Sequence, residues 1–380
     1  MKWETYKLKQ LCSEIVDCVN KTAPTSDVPT PYKMLRTSDI REGKINLENL
    51  NCVTKEVYEK WTRRGKLQKG DVIFTREAPL GEVGLVREEK NYFLGQRLVL
   101  FRANNKMCDG RFLMYSLLWH DNKQAIISKG VGSTVAHLRV PECENIEIKA
   151  PDLDIQHRIA DILSAYDDLI ENNQKQIKLL EEAARRLYKE WFVDLRFPGH
   201  ENTKIVDGVP ERWSRGLLKE LISVNYGKDH KKAPDDGNIP VYGSGGLMRK
   251  CNKSLFSGEA VLIPRKGSLN NIMYVDETFW TVDTMFYATM KQPHTAVFVY
   301  FFVKAFDMYS MNIGAAVPSM TTKILDAMDV VIPDKETLEK FDKLTKTYFN
   351  KIKTLQGQNE RLKIARDLLL PKLMSGKVEV

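Results

Sequence analysis

The strongest constraint on this chain is that half of it repeats the other half. Residues 154–191 carry Ile159, Ile162, Tyr166, Ile170, Ile177, Leu180, Ala184, Leu187 and Trp191 in steps of three and four, with Asn173 filling one slot. A stripe that narrow reads as the seam of a long amphipathic helix rather than as an ordinary core-facing surface. Glu171, Lys175, Lys178, Glu181, Glu182, Arg185 and Lys189 fall between the stripe positions as a solvated face. The same rhythm returns at Phe341, Leu344, Tyr348, Ile352, Leu355, Leu362, Leu369 and Leu373, interrupted by Asn359 and Arg366. An offset of 182 residues carries Ile170, Leu180 and Leu187 onto Ile352, Leu362 and Leu369. The same offset carries Gly132, Val135 and Pro151 onto Gly314, Val317 and Pro333. An internal duplication of this length sets the fold of the whole chain.

Each repeat is a globular unit followed by a long helix. The first unit spans residues 1–152, the first helix 153–198, the second unit 199–334 and the second helix 335–380. Trp3, Leu8 and Leu11 open the first unit as Trp213, Leu218 and Leu221 open the second, at an offset of 210. Residues 70–76 resemble 258–265 and residues 92–100 resemble 279–287, so the second unit has lost loop residues. Short strand-like runs and a short buried helix at 112–119 mark the units as mixed α/β, and the class as α+β. A seam about ten turns long gains little unless it is covered, and the simplest cover for each helix is the other one. An antiparallel coiled coil with pseudo-twofold symmetry follows. Its seam is expected at Ile170, Asn173, Ile177, Leu180 and Leu187 of the first helix, and at Ile352, Leu355, Asn359, Leu362 and Leu369 of the second. Setting Asn173 opposite Asn359 places Ala184 against Tyr348 and Trp191 against Phe341, and gives each buried amide a partner that fixes register; the alternative is that either Asn lies at the edge of the seam and bonds water or a partner subunit.

Little in the sequence speaks for catalysis. There is no phosphate-binding glycine loop, no HExxH, no GxSxG and no NPP-aromatic tetrapeptide. The Pro-Asp pairs at Pro151 and Pro333 have no acidic-x-Lys partner and read as helix starts. The six cysteines are scattered, with neither CxxC spacing nor a histidine cluster, which argues against zinc and for reduced thiols in the cytoplasm. No run of about 18 apolar residues is present, so no membrane span is expected. The net charge of +8 is compatible with a nucleic-acid partner.

Candidate DNA contacts therefore come from residue chemistry and repeat position. Arg, Lys and Gln reach base edges, while Ser, Thr and loop amides hold phosphates. The first unit offers Arg36, Thr37, Ser38, Arg76, Gln96, Arg97, Ser133, Thr134, His137 and Arg139. The second offers Lys228, Lys231, Lys232, Tyr242, Ser244, Arg265, Lys266, Ser268, Asp283, Ser319, Thr321 and Lys323. Arg76 matches Arg265 across the repeat, and the glycine-rich loop at 129–134 matches the one at 313–318.

These features resemble the specificity subunits of type I restriction–modification systems. The resemblance spans the chain and rests on QHRIADIL from Gln156 to Leu163, LYKEWFVD from Leu187 to Asp194 with Phe197, Pro198 and Gly199 after it, LLPKLMSG from Leu369 to Gly376, and LRTSDI from Leu35 to Ile40. It implies that each globular unit is a target-recognition domain reading one half of a bipartite site on double-stranded DNA, and that the helices set the spacer. It also implies two methyltransferase subunits docked on the helices and two restriction-motor subunits joining them. S-adenosylmethionine, ATP and magnesium would belong to those partners, leaving this chain non-catalytic and without a cofactor of its own. Two other readings are a self-contained DNA-modifying enzyme, which would act alone, and a coiled-coil scaffold, which would bind no DNA even with its partners.

Overall fold

A computed structural model of the chain describes residues 2–132, 136–311 and 319–380. Two compact units emerge, Met1–Asn172 with Gln358–Val380, and Asn173–Gly357. Each holds one globular domain and one end of both long helices, Leu153–Tyr188 and Lys335–Met374.

In the first unit a four-stranded antiparallel sheet runs in the order Cys12–Asp17, Leu98–Ala103, Val72–Thr75, Val83–Leu85. A three-stranded sheet lies beside it, with Lys33–Leu35 between Asn51–Cys52 and Tyr92–Leu94 and parallel to the latter. In the second unit both sheets have merged into one of six strands, Ile222–Tyr226, Met285–Met290, Phe256–Pro264, Met273–Thr281, Ile239–Gly243 and Gly246–Cys251. The nine-residue strand Met273–Thr281 does the work that Val83–Leu85 and Tyr92–Leu94 share in the first domain. Residues 86–91, with two glutamates and a lysine, interrupt the strand there. A two-stranded ribbon closes each domain, Glu4–Lys7 with Glu147–Ala150 and Ser214–Leu217 with Asp329–Ile332. Leu8, Leu11, Leu218 and Leu221 are fully buried at equivalent places. The Leu8 amide donates to the Ile146 carbonyl as the Leu218 amide donates to Met328.

Both long helices begin where the Pro-Asp pairs stand. The Asp152 carboxylate accepts from the Ile155 amide and that of Asp334 from the Thr337 amide, each at 3.0 Å, satisfying a donor that a helix start leaves open. Asp334 also accepts from the Thr337 hydroxyl and the Trp213 indole.

Within the first unit Ile159 and Leu163 share a core with Leu373 and Met374, and Asp167 takes Arg366 at 2.5 Å. Arg158 donates to the Val380 carbonyl further along. Within the second unit Trp191 lies 5.8 Å from Phe341, and Leu179 and Glu182 line a hollow with Phe349. In each unit, then, the two helices run antiparallel, and Trp191 meets Phe341 as the register expects. Ile170, Asn173, Ile352, Leu355 and Asn359 are buried, and Ile177, Leu180, Leu187, Leu362 and Leu369 half-buried. Leu344 is a correction: it is 45% exposed, and the neighbouring Thr345 is buried in its place. Thr345 tolerates that position because its hydroxyl donates to the Phe341 carbonyl one turn back.

A histidine–carboxylate pair pins each domain to its helix, with the partners exchanged. Asp109, which caps the helix Gly110–Leu118, meets His157 of the first long helix at 2.7 Å. In the second unit His294, just before the helix Ala296–Lys304, meets Asp342 of the second long helix, also at 2.7 Å.

Burial pushes the Asp334 carboxyl up, but the Thr337 amide and hydroxyl and the Trp213 indole together hold it below its ordinary value. A carboxyl lowered on folding contributes stability that is complete above the unfolded value, about 4, and lost as pH falls through the folded one. Asp334→Ala should therefore lower stability at neutral pH by about 1–2 kcal/mol and flatten the loss of stability below pH 4 in thermal melts. An unchanged acid profile would count against Asp334 as the cap.

Candidate nucleic-acid interface

At one end of the sheet in each domain, five chain segments converge through four equivalent backbone bonds. In the first domain the Arg76 amide donates to the Arg97 carbonyl and the Leu138 amide to that of Arg76. Cys18 likewise donates to Leu98, and Gly95 to Leu35. In the second domain Arg265 donates to Thr284, Met320 to Arg265, Gly227 to Met285 and Val282 to Tyr242. Each bond has its counterpart, so the two clusters are one structure built twice. The clusters gather most of the residues named from sequence: Arg36, Thr37, Arg76, Gln96, Arg97, His137 and Arg139 in one, and Lys228, Tyr242, Ser244, Arg265, Lys266, Ser268, Ser319, Thr321 and Lys323 in the other. Ser133 and Thr134 lie outside the described residues, as does the whole glycine-rich loop at 313–318.

What these side chains do differs from one to the next. Arg76 is turned inward, with Asp17 at 2.9 Å and the Leu138 carbonyl accepting a second bond. Arg265 donates to the Asp283 carbonyl and lies over the rings of Tyr226 and Phe286, 5.0 and 5.1 Å from their centroids. The two matched arginines thus staple the converging segments together, one with a carboxylate and the other with aromatic faces. Tyr242 is likewise engaged, its hydroxyl donating to Glu277 at 2.5 Å. Burial, with the Glu277 carboxylate adding to it, raises its ionisation well above the usual phenol range. Thr321 caps the helix Thr322–Asp326 through its hydroxyl.

Most cations of the first cluster carry carboxylate partners. Arg36 is paired with Asp39, Arg97 with Glu77 and Arg139 with Glu142. Gln96 is exposed and accepts from the Thr22 hydroxyl. Arg97 stands at a left-handed turn, φ 68°, which thrusts it outward from the start of Leu98–Ala103. The second cluster is different in kind. Lys228, Lys231, Lys232 and Lys266 are exposed, and none of them joins an ion pair among the described residues. Ser268 and Lys323 are exposed beside them.

Sequence reasoning passed over the ribbon of Ile239–Gly243 and Gly246–Cys251 at the edge of this cluster. Its signal was present in the GSGG turn at 243–246, since clustered glycines between apolar runs mark hairpins. Arg249 of this ribbon donates to the carbonyls of His230 and Ala233, holding the lysine-bearing loop against it.

The fold and the paired clusters define a class: a twofold-repeated protein with two loop-built faces and two long helices. The chain matches the family model of the type I restriction modification DNA specificity domain at residues 1–182 and again at 210–363, and it belongs to that family as a specificity subunit. It is 25% identical over 356 residues to the type I restriction enzyme MjaIX specificity subunit of Methanocaldococcus jannaschii, covering 82% of this chain and 78% of that one. With the HindI specificity subunit of Haemophilus influenzae it shares 21% identity, over 90% of this chain and 94% of the relative. In fold it is similar to the crystal structure of a type I restriction-modification S subunit from M. genitalium, with a TM-score of 0.64, 19% identity, and 98% and 96% of the two chains covered. Among the described residues no helix is long and apolar enough to cross a membrane.

A lysine that holds a phosphate adds to the salt dependence of binding, and an exposed one can be removed without touching the fold. Lys228→Ala with Lys266→Ala should reduce the slope of log affinity against log salt by about 2, at roughly 0.9 per phosphate contact, and leave the melting temperature unchanged. An unaltered slope in duplex titrations of the assembled complex would place these lysines away from DNA.

Proposed function

We propose that this chain directs a type I restriction–modification complex to its DNA site. Each globular domain reads one half of a bipartite site on double-stranded DNA, and the two helices set the gap between the halves. The observation that carries this reading is the cluster of converging segments, built twice with the same backbone bonds and different side chains. A repeated scaffold with altered surface chemistry suits two readers of unlike sequences.

The chain reads and positions, and the chemistry belongs to its partners. Two methyltransferase subunits supply S-adenosylmethionine-dependent methylation, and two restriction-motor subunits supply ATP- and magnesium-dependent cleavage. The complex acts in the cytoplasm. Half-buried Asp17 and Glu277 and buried Asp39 are each engaged in holding a loop.

Geometry limits the site. Two domains on one face of a duplex sit about one turn, or about 10 base pairs, apart centre to centre. Half-sites of about 3–5 base pairs then leave a gap of roughly 6. A helix of 36 residues, at about 1.5 Å per residue, is long enough to bridge that distance. The isolated chain should neither methylate nor nick DNA, whereas its complex with the methyltransferase subunits should methylate a gapped motif. Methyl transfer by the chain alone, or a continuous motif in a methylation map of the host, would contradict the reading.

A further inference from the structure

The second domain carries an apolar pair where its basic face should be most polar. Leu247 and Met248 are consecutive and each 54% exposed. In a regular strand one of two neighbours would turn inward. Here the pairing slips between Val241 and Tyr242: Tyr242 faces Leu247 and Val241 faces Arg249, so Met248 is an extra residue in a bulge. Bulges re-aim side chains, and this one leaves both apolar groups in water. The Met248 side chain lies over Gly243, where a Cβ would come 2.4 Å from the Met248 sulfur.

The pair stands at the rim of the reading cluster. The turn that joins the two strands is held by Asn271, which donates to the Ser244 carbonyl at 2.8 Å. Gly267 abuts the Ser244 hydroxyl, next to the exposed Lys266 and Ser268. Exposed Lys228, Lys231, Lys232, Lys250 and Lys253, on the ribbon, just past it and on the loop held against it, outnumber the exposed Asp229, Asp235 and Asp236 of that loop and leave a net positive surround. Two side chains are far smaller than the several hundred Å² of a protein-docking patch, whereas cations around a small apolar tip complement a polyanion with apolar groups inside its groove. A two-stranded ribbon fits the major groove, where the only apolar group on a base edge is the thymine C5-methyl.

We propose that this ribbon enters the major groove of the half-site read by the second domain, and that Leu247 and Met248 select thymine there by contact with its C5-methyl group. The inference rests on the DNA-reading function proposed above and adds the base and the residues that read it.

Deoxyuridine in place of thymidine removes that methyl and nothing else. The full chain, assembled with its methyltransferase subunits, is titrated with duplexes bearing deoxyuridine at each thymidine of the second half-site in turn. The native complex should lose affinity at one or two positions, about fourfold for each methyl, the factor that burying one methylene carries. Leu247→Ser with Met248→Ser should abolish that loss while the response to changes in the first half-site stays as in the native complex. Leu247→Met with Met248→Leu should restore it. Native binding indifferent to deoxyuridine throughout the second half-site, a half-site without thymine, or undiminished sensitivity in the serine variant would each overturn the proposal and leave the DNA-reading function standing. A complex with no sequence preference at all would overturn both.

Discussion

A narrow apolar stripe on a long helix cannot remain in water, and this chain carries two of them. Covering those stripes is the constraint from which the rest follows. In each unit an end of one helix lies antiparallel to an end of the other, through Asp167 with Arg366 in one and Trp191 with Phe341 in the other. Each domain is then pinned to its own helix by a capped start, a two-stranded ribbon and a histidine–carboxylate pair. The exchange of partners between Asp109–His157 and His294–Asp342 shows what the fold requires at this junction. It requires complementary groups at hydrogen-bond distance, and either side can supply either one.

The same division between backbone and side chain governs the paired loop clusters. Four amide-to-carbonyl bonds recur in both domains, so the loop cluster is conserved as geometry. The groups that fill it have diverged. An arginine clamped by Asp17 in one domain is clamped by the ring of Tyr226 in the other. The first face balances its cations with carboxylates, while the second leaves lysines exposed and adds an apolar tip. One backbone frame therefore presents two chemically different surfaces.

The long helices were legible in the sequence because a repeat of three and four residues has no other stable meaning. The clusters were legible in part, since Arg76 and Arg265 fall at matching places. Their roles were not, because a charge cannot announce its partner: Asp17 and Glu77 lie near their arginines only once the sheet has formed. The partner of the Tyr242 hydroxyl, Glu277, likewise lies 35 residues away in sequence. Leu344 fits the seam by period yet faces water, since Thr345 can hide its hydroxyl against the helix backbone. The merging of two sheets into one in the second domain depends on a strand that runs unbroken through Met273–Thr281, and periodicity alone does not reveal where a strand is interrupted.

The central claim is that two independent readers are mounted on one frame. Exchanging residues 1–152 for the corresponding domain of another specificity subunit, then mapping methylation by the assembled complex, tests it most directly. The account predicts that one half of the bipartite motif changes while the other half is kept. A change in both halves, or in neither, would contradict it.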